Sequence, residues 1–158
     1  MNNKKTTQLN SNNHFVYIYG CSGCGKSYLA TVLNKKITDS VLIDAGKSSQ
    51  YEIGSLDITE LLTSMEVTYI IDGIHYLNVA SKKALEIHIE KRGKVIALGD
   101  SMFDLTEINH ELVDVTIRLD KENHSQLHQF ADSLFTKKQA LTVKRNNGTF
   151  RSAILAFS

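Results

Sequence analysis

Eight residues near the amino end restrict this chain more than any others: Gly20-Cys21-Ser22-Gly23-Cys24-Gly25-Lys26-Ser27, the pattern G-x-x-x-x-G-K-S. Before them runs His14-Phe15-Val16-Tyr17-Ile18-Tyr19, rich in aromatic and β-branched residues. After them Leu29, Val32 and Leu33 recur at helical spacing. Strand, glycine loop and helix in that order make a cradle for phosphate. The glycines let the backbone curl until several N–H groups converge on one phosphate chain, and the helix start adds the positive end of its dipole. Gly20, Cys21, Ser22, Gly23, Cys24, Gly25, Lys26, Ser27 and Tyr28 are therefore the candidate nucleotide-binding residues. In that role Lys26 reaches the β- and γ-phosphates, and Ser27 offers its hydroxyl to Mg²⁺.

The 158 residues suffice for one domain with a sizeable core. Apolar content of 42% and charged content of 22% are those of a soluble globular protein. No apolar run approaches the ~20 residues of a membrane helix. Residues 1–13 are polar, without the apolar stretch of a signal peptide, and read as a disordered tail. A cytoplasmic protein is expected. Every acidic residue lies between Asp39 and Asp132, so this middle carries −9 while the flanks carry +10. The basic carboxyl-terminal flank, Lys137, Lys138, Lys144, Arg145 and Arg151, suits nucleic-acid phosphates, and equally a solvated face or an acidic partner. Cys21 and Cys24 form C-x-x-C inside the glycine loop, where a zinc or redox role competes with phosphate. Without further ligands at zinc spacing they read as reduced thiols. Oxidation across the loop is expected to disturb nucleotide binding.

Strand and helix signals alternate, which points to an α/β fold with a parallel sheet and helices on both faces. Val41–Asp44 reads as a short buried strand, Ala45–Glu52 as loop, and Ser55–Met65 as a helix carrying Leu56, Leu61 and Leu62. Val67–Asp72 is the clearest strand. Asn78 or Ser81 caps a helix that runs to Arg92 and stops at Gly93 in the C′ position. Lys94–Leu98 and Val113–Leu119 are further strands. Leu127, Phe130, Ala131 and Leu134 mark an amphipathic helix, and Thr149–Phe157 a last strand or an interaction segment. His124 and His128 stand at i, i+4 but lack a third ligand, so they read as surface histidines.

Mg²⁺ needs a second anchor, usually an Asp at the end of a buried strand. Asp72 fits, because an ionised carboxylate ending so apolar a strand is costly without a cation or donors. Asp44, closing the previous strand, is the rival; the strand before Asp72 is longer and more apolar.

These stretches resemble the core of AAA+ ATPases of the DnaA and helicase-loader group, over residues 14–120. Residues 25–30, Gly-Lys-Ser-Tyr-Leu-Ala, look like the start of that group's first helix. Tyr69-Ile70-Ile71-Asp72-Gly73-Ile74-His75-Tyr76-Leu77 resembles its Walker B stretch, and Gly93–Ser101 its sensor 1 strand. The resemblance implies a three-layer P-loop NTPase fold in which the Asp100 strand lies between the P-loop strand and the Asp72 strand. It implies ATP and Mg²⁺ as cofactors, Lys26, Asp72 and Asp100 as the residues of catalysis, and Ser27 and Asp72 as the metal anchors. Residues 121–158 would then be a reduced lid, a helix and a basic tail. The departures are specific. That group places an acid after the Walker B Asp to orient water; this chain has Gly73, with His75 as a partial substitute. The arginine finger is replaced by Glu111-Leu112-Val113-Asp114, and Arg118 falls within a strand pattern.

Three functions follow as expectations. The first is a compact AAA+-like ATPase in DNA replication or mobile-element DNA processing, with DNA or a replication protein as partner, no membrane and an optional oligomer. The second is a nucleotide-binding adaptor with little or no turnover. The third is a small-molecule kinase of the gluconate or shikimate type, whose P-loop is similar. Such kinases clamp the phosphoryl group with several arginines, whereas this chain has only Arg92, Arg118, Arg145 and Arg151.

Overall fold

The computed structural model describes residues 14–21, 23 and 25–119. The helix at 121–135, the basic flank, His124 and His128 and the last strand lie outside the described residues. Five parallel strands form one sheet: β1 (Phe15–Gly20), β2 (Ser40–Asp44), β3 (Thr68–Asp72), β4 (Lys94–Gly99) and β5 (Val115–Leu119), in spatial order β2-β3-β4-β1-β5. The strand that leads into Asp100 thus lies between the P-loop strand and the Asp72 strand, as the resemblance implied. This is the three-layer P-loop NTPase fold with AAA+-like strand order.

Alternation along each strand assigns the two faces. Val16 and Ile18 of β1, Ile70 of β3, Ile96 and Leu98 of β4, and Val115, Ile117 and Leu119 of β5 pack with Leu29, Ala30 and Leu33 of helix α1 (Lys26–Lys36). Phe15, Tyr17, Tyr69, Ile71, Val95 and Ala97 point the other way, toward Leu85 and Ile89 of helix α3 (Val79–Glu90). Burying each such side chain contributes roughly 1.5–3 kcal/mol, so both layers are anchored on β1, β3 and β4. The exits of those strands, where β1, β3 and β4 end together, lie directly above this core.

The structure corrects several readings. β2 is an edge strand rather than a buried one: of its residues only Ile43 is buried, and Val41 is exposed. Residues 45–48 form a single helical turn, α2 (Ala45–Ser48), because the Asp44 carboxylate accepts the Lys47 N–H as a cap. Ser55–Met65 is not a helix. It contains one 3₁₀ turn at Thr59–Leu61, started where the Asp57 side chain bonds the Thr59 N–H and hydroxyl instead of letting the backbone wind. α3 begins as expected, with Asn78 accepting the Ser81 N–H. Its left-handed closing residue is Arg92 (φ 75°), not Gly93. Gly93 is required for another reason, since a Cβ there would run into the His88 imidazole.

Candidate functional site

The cleft opens at the carboxyl ends of the strands and has a volume of about 640 Å³. One wall is the loop after β1 with the start of α1. The opposite wall is made by the exits of β2, β3 and β4. The loop wall is shaped by backbone. Gly25 caps α1 in a left-handed conformation (φ 93°) that a side-chain-bearing residue adopts only with strain, and Gly23 is left-handed as well. The Lys26 ammonium donates to the carbonyl oxygens of Gly20 (2.6 Å) and Cys21 (2.8 Å) and is only 12% exposed. Ser27 and Tyr28 line the cleft beside it. Ser22 and Cys24 lie outside the described residues. Cys21 is disulfide-bonded, which corrects the reading of a reduced thiol.

The opposite wall is charged. Asp72 ends β3 half-buried, facing Ser27 across the cleft. Burial pushes the Asp72 carboxyl above the ordinary range; the Ser27 hydroxyl opposes this, and neighbouring Asp44 adds to it. A carboxylate raised in this way, facing the P-loop serine, fits a divalent cation, which restores the favourable ionised form. Ser27 and Asp72 would hold Mg²⁺, which supplies charge neutralisation for the phosphates when bound. No cluster of three or more His, Cys, Asp or Glu suited to a metal occurs among the described residues. Asp44, the rival anchor, lines the cleft in register with Asp72, but its carboxylate is engaged in capping α2.

Gly73 explains why no acid follows Asp72. Its φ is +100°, and a Cβ would lie 2.7 Å from Tyr76 Cδ2. The Gly73 N–H donates to Leu98 O (2.9 Å), tying the exits of β3 and β4 together. This turn therefore excludes any side chain at the position where an acid is expected.

Asp100 stands at the exit of β4. Its Oδ1 lies 3.3 Å from Lys26 Nζ and its Oδ2 3.4 Å from His75 Nε2. His75 follows Gly73 in a 3₁₀ turn, Ile74–Tyr76, is 13% exposed and rests against the Tyr76 ring (4.2 Å between centroids). Behind it, Asp104 accepts the N–H groups of Asp100 (2.8 Å) and Ser101 (3.1 Å). The buried Tyr17 hydroxyl donates to Ser101 O at 2.5 Å. Burial, followed by the Asp104 and Asp100 charges, raises the Tyr17 phenol well above its ordinary value, so it stays a neutral donor.

The structure thus gathers Lys26, Ser27, Asp72 and Asp100 in one cleft, with Gly23, Gly25 and Tyr28. Sequence reasoning missed the cleft's β2 side, Gly46, Lys47, Tyr51 and Tyr76, and the supports of Asp100, Asp104 and Tyr17. Only the S-x-x-D spacing of Ser101 and Asp104, a capping box, announced any of these. Arg118 is exposed on β5, and neither it nor Arg92 lines the cleft.

The fold is α/β, with the glycine-rich loop and Lys26 on one wall of the cleft and Asp72 and Asp100 on the other. No protein-family model matches the sequence, and no curated protein matches it. Among solved structures, the chain is similar to the Aeropyrum pernix ORC1 protein in complex with DNA, with a TM-score of 0.49 and 12% identity. The likeness covers 97% of this chain and 56% of that one, so this chain spans about half its length. No helix among the described residues is long and apolar enough to cross a membrane.

Proposed function

We propose that residues 14–120 bind ATP with Mg²⁺ and hydrolyse it slowly, as a compact AAA+-like ATPase acting in DNA replication or mobile-element DNA processing. The observation that carries the nucleotide reading is the convergence of Lys26, Ser27, Asp72 and Asp100 in one cleft. Slow turnover follows from Gly73, whose backbone and neighbour exclude the water-orienting acid. The likeness to the DnaA and helicase-loader group and the contact with DNA rest on sequence pattern and on the basic flank at 137–151. The adaptor reading is favoured by the same Gly73. The kinase reading is disfavoured by a cleft that no arginine among the described residues lines.

The test is ATP affinity and turnover measured together, with and without DNA, for wild type and Lys26→Ala. The expected outcome is Mg²⁺-dependent ATP binding lost in Lys26→Ala, with slow phosphate release stimulated by DNA. Phosphate transfer to a sugar or acid would replace this reading with the kinase, and tight binding with no turnover would replace it with the adaptor.

A further inference from the structure

We infer that the β2 end of the cleft is a second ligand site, built for a small molecule that joins a planar ring to an anionic group, the chemistry of a nucleoside monophosphate. The inference goes beyond the ATP-binding reading and takes from it only what fills the other end.

The cleft is longer than the phosphate site needs. Gly23, Gly25, Lys26 and Ser27 line one end, and Asp72 stands at the exit of β3. Past Asp72 the cleft continues to Gly46, Lys47, Tyr51 and Tyr76. The strand order sets the distance. β2 lies three strand spacings from β1, about 14 Å across the sheet. A triphosphate held by the loop and by a cation at Asp72 reaches the exit of β3 and stops there. The exit of β2 is left over.

That end is shaped by the backbone around it. The Tyr76 ring packs directly on two glycines: a Cβ at Gly46 would come within 2.9 Å of it, and one at Gly73 within 2.7 Å. The loop bearing Tyr51 is tied to the same turn. Tyr51 N–H donates to Gly46 O (3.1 Å), Gly54 N–H to His75 O (3.1 Å) and Leu56 N–H to Tyr76 O (2.9 Å). So anchored, Tyr51 lines the cleft yet stays 77% exposed. Gln50 and Tyr51 are both left-handed (φ 53° and 69°), a conformation that residues with a side chain adopt at a cost. An aromatic ring held in water at that cost is accounted for by a second ring stacked on it.

The polar groups there are unused. The Lys47 ammonium and the Tyr51 and Tyr76 hydroxyls have no hydrogen-bond or ion-pair partner among the described residues. Ammonium and phenol both donate to anionic oxygen. Asp44, the acid of this end, is engaged with the Lys47 N–H as the cap of α2. A ring on Tyr51 with its anionic group at Lys47 therefore uses what the site offers. No arginine among the described residues lines the cleft to clamp a phosphoryl group in transfer, so the second ligand is an effector rather than an acceptor.

The experiment is calorimetry on the full chain, saturated with Mg²⁺ and a non-hydrolysable ATP analogue. AMP, GMP, CMP and UMP are titrated separately, with the matching nucleosides and ribose 5-phosphate as ring-only and anion-only controls. At least one monophosphate is expected to bind at one site per chain, about tenfold tighter than either control. Tyr51→Ala and Lys47→Ala are each expected to weaken it about tenfold, and Tyr51→Phe to retain it, with affinity for the analogue within about twofold in all three. Absence of monophosphate binding would overturn the inference, as would binding that both alanine variants leave untouched or that the analogue displaces. Binding of a single-stranded oligonucleotide with no binding of free monophosphates would overturn it too, as would formation of a nucleoside diphosphate when ATP replaces the analogue. If the analogue itself does not bind, the ATP reading falls. Tyr51-dependent binding of a monophosphate to the free chain would then still support the second site, and its absence would overturn it.

Discussion

The two walls of the cleft are built on different principles. The loop wall between β1 and α1 works through its backbone: glycines in left-handed conformations, carbonyls that hold Lys26, and a helix start. The opposite wall, at the exits of β2, β3 and β4, works through side chains that balance one another: Asp72 with Ser27, and Asp100 with Lys26 and His75. A backbone wall is set by a short local motif. A side-chain wall depends on which strands the topology places side by side. On the proposed function, binding falls to the first wall and the pace of chemistry to the second.

The largest expected effect breaks the loop wall. Lys26→Ala removes a charge-assisted contact to phosphate worth about 1.5–3 kcal/mol, so calorimetry should show ATP affinity falling by about 10- to 100-fold. Unchanged affinity would show that the loop is not a phosphate site. Next comes the second wall. Gly73→Glu restores the expected acid in sequence but forces a side chain into φ +100° against Tyr76. It should cost about 1–3 kcal/mol in urea unfolding and gain no turnover. In a Tyr76→Ala background the cost should shrink, since the clash is removed.

The third prediction separates stability from function at Asp72. Its folded carboxyl is raised above the ordinary 3.8, so the ionised form costs stability at every pH above that value. Asp72→Asn should therefore raise the melting temperature of the ligand-free protein by about 2–4 °C, while abolishing the Mg²⁺ dependence of ATP binding. A lower melting temperature with Mg²⁺ dependence retained would assign Asp72 to structure alone. The smallest effect lies at the other end of the sheet. Burial lowers His14 and His88 below 6.5, and both ring nitrogens of His14 and the Nε2 of His88 are buried without hydrogen-bond partners. Below 6.5 the unfolded chain takes up protons that the folded chain resists. Stability should thus be complete above that pH and fall as pH drops from it through the lowered folded values. Urea midpoints at pH 8, 6.5 and 5 check this, and His88→Leu should flatten the slope.

The loop wall was legible because everything it needs lies within Gly20–Ser27 and its two flanks. The strands were legible from apolar runs such as Tyr69–Ile71, and their order only through the family resemblance. Ser55–Met65 misled because Leu56, Leu61 and Leu62 imitate a helical stripe while Asp57 turns the backbone locally. The edge position of β2 was not legible, since Val41-Leu42-Ile43 is as apolar as a central strand. Tyr17 and Asp104 are 87 residues apart in sequence, and Lys26 and Asp100 are 74 apart. No local pattern links them; they meet because β4 inserts between β1 and β3.

The most direct test of the division between the walls is ATP affinity and single-turnover hydrolysis measured on the same sample of wild-type protein with Mg²⁺. The account predicts Mg²⁺-dependent binding together with hydrolysis that is slow beside the ~1–100 s⁻¹ typical of kinases. Hydrolysis within that range, or no Mg²⁺-dependent binding at all, would contradict it.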